Sequence, residues 1–184
     1  LEDDVAYGAL TSNPTMSEDN NALFSSDHNN LFSGSGQGGP PSVETFDDMF
    51  QAMRDQKDLQ GMATVGVAPA YVLLPSSLDA KTRAFVNAEF NPESSDTQRE
   101  PNVFRSSVTP IVANQLSNDS QNRWYLTANP NDIDTVEVSF LEGEPNPVFG
   151  QEVDFDTEGM KMKVRHTVAA RALDYRGLAR NNGS

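Results

Sequence analysis

Residues 134–184 read DTVEVSFLEGEPNPVFGQEVDFDTEGMKMKVRHTVAARALDYRGLARNNGS, and their patterning decides the fold class. Val136, Val138 and Phe140 alternate with Glu137 and Ser139, and Met160, Met162 and Val164 alternate with Lys161, Lys163 and Arg165. A period of two belongs to a strand with one apolar and one polar face. The DTEG stretch at 156–159 has turn chemistry and predicts a hairpin leading into the second strand. Beyond it a short basic segment closes on an Arg-Gly pair, Arg176 and Gly177. The block holds two clean strands and no catalytic constellation.

Charge divides the chain at the same place. From Met160 onward there are six basic residues and one acid, about +5, which leaves about −19 on the remainder of a chain whose net charge is −14. An acidic body disfavours wrapping nucleic acid, because phosphate binding needs a basic surface. The excess is read as a solubilising surface. The chain has 184 residues, enough for one domain with a core or two small ones, but its hydrophobic fraction is only 36% and it carries 12 Gly and 11 Pro. That balance predicts a loop-rich architecture, or burial completed by partner chains.

The absence of cysteine excludes disulfides, thiolate metal sites and cysteine nucleophiles. The most apolar run, 65–74, is interrupted by Pro69 and falls well short of the ~20 residues that span a bilayer, so no membrane partner is expected. The acidic start, LEDDVAYGAL, lacks the basic opening of a signal peptide.

Outward from the closing block, the rest of the chain reads as a mixture of helices and strands. Residues 1–39 read as loop, ending in the breaker stretch SGSGQGGPP at 33–41. A helix then starts at Ser42, a good N-cap, with Val43, Phe46, Met49, Phe50 and Met53 on one face as its core stripe and Gly61 as the stop. AYVLLP at 70–75 reads as a buried strand, and a second helix runs from 76 or 77 to about Phe90. A strand broken at Pro110 and a short strand at 123–128, holding the only tryptophan, follow. The fold class is α+β with mostly antiparallel pairing.

None of the chemistry-bearing residues assembles into a site. His28 stands beside Asp27 in SSDHNN, but triads form across a fold and no G-x-S-x-G elbow occurs, so its expected role is to anchor a loop by a hydrogen bond. His166, at a strand end, is read as structural. DFDTEG at 154–159 has the oxygen ligands Asp154, Asp156 and Glu158 of a calcium loop's start, yet the position that needs a bidentate Glu holds Arg165. GSGQGG lacks the Lys-Ser/Thr of a phosphate loop. No cofactor, metal or enzymatic activity is expected.

Six segments in the same order resemble the major capsid proteins of tailed bacteriophages, in particular the Mu-like major head subunit group. They are ALFSSDHNNL (22–31), AMRDQKDLQG (52–61), AYVLLPSSLDAKTRAFVNAEFNP (70–92), WYLTANP (124–130), VEVSFLEGEPNPVF (136–149) and KVRHTVAARALDYRGLARNNG (163–183). The resemblance implies the Hong Kong 97 fold, with a spine helix, a small antiparallel peripheral sheet and an axial domain. On that template 1–41 is a loop-rich remnant of an extended loop or arm. Residues 42–69 are the spine helix, itself 42–60, and its connection. Residues 70–131 form the axial domain, and 132–184 supply the return strands beside the spine. Only about forty residues precede the spine, so the arm and much of the extended loop are expected to be missing.

The resemblance further implies a structural subunit that self-assembles into hexamers and pentamers of an icosahedral shell around double-stranded DNA, in the virion, after assembly in the host cytoplasm. Its partners would be copies of itself, then portal, scaffold and decoration proteins, with DNA touched non-specifically at most. The expected capsomer contacts are the loops at 93–102 and 114–123 and the closing segment. Lys161, Lys163, Arg165, Asp174 and Arg176 are the candidates for inter-subunit contacts or salt bridges. Two other readings fit the residues: an encapsulin-like nanocompartment shell, and a monomeric calcium- or ligand-binding β-rich domain built on DFDTEG.

Overall fold

The computed structural model describes residues 1–34, 37–93, 100–141, 145–154 and 159–183. Its centre is a five-stranded mixed sheet that takes strands from both ends and the middle of the chain. In spatial order these are β1 (Leu31–Phe32), β9 (Leu178–Asn181), β4 (Trp124–Ala128), β2 (Pro69–Leu74) and β3 (Thr109–Val112). β4 lies in the middle, antiparallel to β2 and β9, while the outer pairs β1–β9 and β2–β3 are parallel. Strand alternation sends Val72, Leu74, Trp124, Leu126 and Ala179 into one core and Leu73, Tyr125 and Leu178 into a second, so the sheet is buried on both faces.

Helix α2 (Val43–Arg54) covers the first face. Ser42 caps it through a reciprocal pair: its hydroxyl accepts from the Thr45 N–H, and the Thr45 hydroxyl accepts from the Ser42 N–H. Phe46, Met49, Phe50 and Met53 are buried and Val43 packs at the margin. Phe46 stacks on Trp124 at 5.3 Å and meets Phe85 and Phe104 edge-on. The Trp124 indole donates to the Gly39 carbonyl at 2.9 Å. α2 ends at Arg54, before the expected Gly61, because the next residues form their own turn. Asp58 N–H donates to Ala63 O, the Asp58 carboxylate accepts from Met62 N–H, and Lys57 bridges Thr64.

Helix α3 (Asp79–Asn87), entered by a 3₁₀ turn at Ser76–Leu78, completes this layer. It stops short of the expected Phe90 because the Asn102 side-chain amide donates to the Phe85 and Ala88 carbonyls, satisfying its last turn. Pro110, expected to break its strand, lies inside β3. That strand is an edge paired only with β2, where a missing N–H is tolerated.

On the opposite face lies the segment expected to be loop. Residues 2–11 are instead helix α1 (Glu2–Thr11), with Glu2, Asp3 and Asp4 in its first turn. The Leu10 side chain is buried and Tyr7 packs on the second core. Composition alone did not show this helix; its stability comes from packing against β8 (Val168–Ala172) and α4 (Asn114–Asp119). The rest of the segment is pinned by side chains. Asn13 exchanges two hydrogen bonds with the Phe24 backbone, and Asn30 donates to Leu23 O at 2.8 Å.

The two closing strands expected beside the spine separate into different ribbons. β5 (Val136–Phe140) pairs with β8, an unexpected strand, and packs on α1. β7 (Gly159–Arg165) pairs with β6 (Val148–Asp154), the other missed strand. The strand that returns to α2 is β9, whose Ala179 enters the first core. Gly177 permits that return, since a Cβ there would lie 2.5 Å from Thr135 and 2.6 Å from Ile133 side-chain carbons. No helix among the described residues is long and apolar enough to cross a membrane.

Candidate assembly surface

The β6–β7 ribbon is the one element whose apolar face has no cover among the described residues. Residues directly opposite in an antiparallel pair share a face, and the register sets Phe149 against Val164, Gln151 against Met162 and Val153 against Met160. Five of these six side chains are apolar. Phe149 and Val153 are 73% and 74% exposed, Met160 and Val164 61%, and Met162 71%. Scattered exposed apolar residues are ordinary; five on one face of a ribbon make it the candidate interaction surface.

The other face carries the expected basic strip. Lys161 lies opposite Glu152, Lys163 opposite Gly150 and Arg165 opposite Val148, and all three basic residues are exposed. The sequence therefore assigned both faces of β7 but not the burial of either. It missed Phe149 and Val153 altogether. Counting back from the DTEG turn would have found them, because Phe149, Gln151 and Val153 repeat the alternation of the strand they face. Of the DFDTEG residues, Asp156 and Glu158 lie outside the described residues, and among the described residues no cluster of three or more His, Asp or Glu side chains forms a metal site.

Asp174 and Arg176 have moved in the opposite direction, into the body. Arg176 is buried, and its Nη1 donates to both Asp174 carboxylate oxygens at 3.0 Å. Its Nε donates to the Lys57 carbonyl at 2.7 Å, just past α2, and Glu18 lies 3.5 Å away. The pair thus ties the closing segment to the turn after the helix and to the N-terminal segment. Arg165, in contrast, is exposed at the end of β7.

His28 anchors the same region. Its ring stacks on Tyr175 at 3.7 Å, and its two nitrogens face the Leu23 carbonyl at 3.1 Å and the Asp19 carboxylate at 2.6 Å. The hydrogen bond from His28, with help from the Asn21 N–H, holds the Asp19 carboxyl down at about 2. The acid beside the ring is Asp19, not the sequence neighbour Asp27, and the Ser25 hydroxyl is taken by the His28 N–H. This is a loop anchor. His166 stacks against Phe140 at 5.9 Å with Glu2 3.7 Å away.

The expected contact loops are partly spoken for. Asn114–Asp119 is helix α4, with Leu116 in the second core, and Asn102 is buried capping α3. A groove of about 510 Å³ runs beside α2, floored by Phe50 and Phe104 and edged by Asp47, Asp55, Arg54 and the 77%-exposed Val103.

The described chain thus combines a doubly covered sheet, an N-terminal segment pinned by side chains and a ribbon with one exposed apolar face. A family model described as "Phage capsid protein" matches residues 1–181, and the chain belongs to that family. A comparison with curated proteins finds no match. Membership makes it a structural protein of the virion capsid.

Proposed function

We propose that this capsid protein is a shell-forming subunit of the Hong Kong 97 fold, related to the Mu-like major head proteins. In this reading it assembles into hexamers and pentamers of an icosahedral shell around double-stranded DNA. The observation that carries the reading is the uncovered apolar face of the β6–β7 ribbon. Each large apolar side chain withdrawn from water contributes about 1.5–3 kcal/mol, so five on one ribbon offset much of the cost of association. The occupant we assign is a second copy. The chain belongs to a capsid family, and on the reverse of the ribbon Lys161, Lys163 and Arg165 would face the acidic surface of a further copy.

In this reading α2 is the spine helix, and residues 70–131 and 132–184 are the axial and peripheral portions, sharing the central sheet through β4 and β9. Residues 1–41 stand in for the arm or extended loop, although α1 gives them more structure than a loop. The loop flanks at Glu93 and 120–123, together with the ribbon, make the capsomer contacts. Portal, scaffold and decoration proteins and non-specific DNA contact complete the set of partners, and assembly takes place in the host cytoplasm.

A double substitution, Phe149→Asp with Met162→Asp, tests this. The variant should keep a wild-type melting curve, because these side chains touch no core, yet yield no closed shells by negative-stain microscopy. Its assembly rate by light scattering should fall at least tenfold. Shells formed at the wild-type rate would show that the ribbon is not the contact. Since acidic bodies repel, wild-type assembly should also quicken with added salt or divalent cations; faster assembly at low ionic strength would contradict the electrostatic part.

A further inference from the structure

Charge and apolar surface are sorted onto opposite faces of the β6–β7 ribbon. Of the six residues that the register sets on the uncovered face, five are apolar and the sixth, Gln151, is neutral. Glu152, Lys161, Lys163 and Arg165 all lie on the reverse. That sidedness limits what can cover the apolar face. The groove beside α2 is floored by Phe50 and Phe104, both already buried, and edged by Asp47, Asp55 and Arg54. A ribbon laid apolar side down on it would strip water from those charges without bringing them partners, because its own charged residues point away. The turn after α2 exposes Leu59 and Met62 but carries Lys57 and Asp58 beside them. No other element among the described residues exposes as many large apolar side chains as the ribbon itself.

We infer, on the reading that a second copy covers the ribbon, that the covering surface is the same face of that copy, the two ribbons stacking about a two-fold axis beside Gln151 and Met162. An isologous contact meets itself, so the face must be complementary to its own copy. An uncharged apolar strip meets that condition. Side chains of two facing sheets interdigitate, and the two basic reverses stay on opposite outer sides. Gln151 sits at the centre of the strip, opposite Met162 and between Phe149 and Val153 along its strand. Beside the axis its amide, donor and acceptor in one group, can exchange hydrogen bonds with the amide of its own copy. The one polar group on the face is then not left unpaired. Five large side chains offer roughly 500 Å² per copy, so two copies withdraw roughly 1,000 Å² from water. That is the low end of specific contacts, and it suits a weak contact repeated many times in one assembly.

A charge swap at Gln151 tests this, with assembly followed by light scattering. Across a two-fold axis any charge at this position meets its own copy. Gln151→Glu and Gln151→Lys should therefore each slow assembly at least tenfold, and an equimolar mixture of the two should recover to within about threefold of the wild-type rate. The chain contains no cysteine, so a single introduced thiol gives an independent readout. In assembled material Gln151→Cys and, separately, Met162→Cys should form dimers with a short thiol-to-thiol crosslinker at least tenfold faster than Lys163→Cys on the reverse. Gln151→Lys assembling as fast as the wild type or faster would overturn the inference. So would a Gln151→Cys chain that links only when Asp55→Cys or Leu59→Cys is added. Either result would put the face on the body of the second copy and leave the ribbon an assembly contact. Normal shells from the Phe149→Asp, Met162→Asp variant would instead remove both readings.

Discussion

β4 and β7 obey the same rule and come to opposite ends. In β4, Trp124 and Leu126 point to one face and Tyr125 to the other, and all three are buried. In β7, Met160, Met162 and Val164 alternate with Lys161, Lys163 and Arg165 just as regularly, and the whole apolar set stands in solvent. The difference lies in what flanks each strand. β4 has a strand on either side and a layer over each face, whereas β7 has only β6. Period two chooses which side chains share a face; burial of that face depends on what the rest of the chain, or another chain, brings to it.

That contrast can be broken by substitution. Phe46→Ala, at the centre of the aromatic cluster, should cost about 3–5 kcal/mol in urea denaturation, whereas Phe149→Ala on the ribbon should change the stability of the isolated subunit by no more than about 0.5 kcal/mol. A large loss at Phe149 in the unassembled chain would mean that the ribbon is packed after all. The two arginines of the closing segment extend the comparison. Arg176→Met strands the Asp174 carboxylate and the Lys57 carbonyl and should cost about 1.5–3 kcal/mol by the same measurement, while Arg165→Met on the exposed ribbon should stay within about 1 kcal/mol. Gly177→Ala, which drives a methyl group into Thr135 and Ile133, should cost about 1–3 kcal/mol and lower the melting temperature of the body without disturbing the ribbon.

The smallest effect concerns pH. The Asp19 carboxyl is held at about 2 in the fold against an ordinary 3.8, chiefly by the hydrogen bond from His28. A depressed carboxyl contributes stability that is complete above its ordinary value and is lost as the pH falls through about 2. Melting temperatures followed from pH 5 to pH 2 should therefore fall less steeply in Asp19→Asn than in the wild type, and parallel curves would remove Asp19 from the account.

Much of the body was legible in the sequence. The stripe Val43, Phe46, Met49, Phe50 and Met53 behind a Ser42 cap, the strand at 70–75 and the tryptophan strand each carry a local signal, and the folded chain keeps all three. The misreadings share a cause. α1 is short and acidic, with a glycine inside it, and holds its shape through β8 and α4. β6 and β8 are strands by virtue of their partners, Val148–Asp154 against β7 and Val168–Ala172 against β5. The candidate surface was half visible: the basic strip was read as a site, and its apolar reverse was seen only as alternation, which is silent about cover.

By itself the sequence determined the α+β class, the helix stripe and the faces of the closing strands, because each follows from the local spacing and chemistry of side chains. Only the tertiary structure decided that β9 and not β7 returns to the core, that Arg176 turns inward onto Asp174 and Lys57, and that Tyr125 stands opposite Arg180. Those outcomes depend on long-range pairing, in which residues more than fifty positions apart become neighbours through strand register, and no local pattern encodes which strand another will choose.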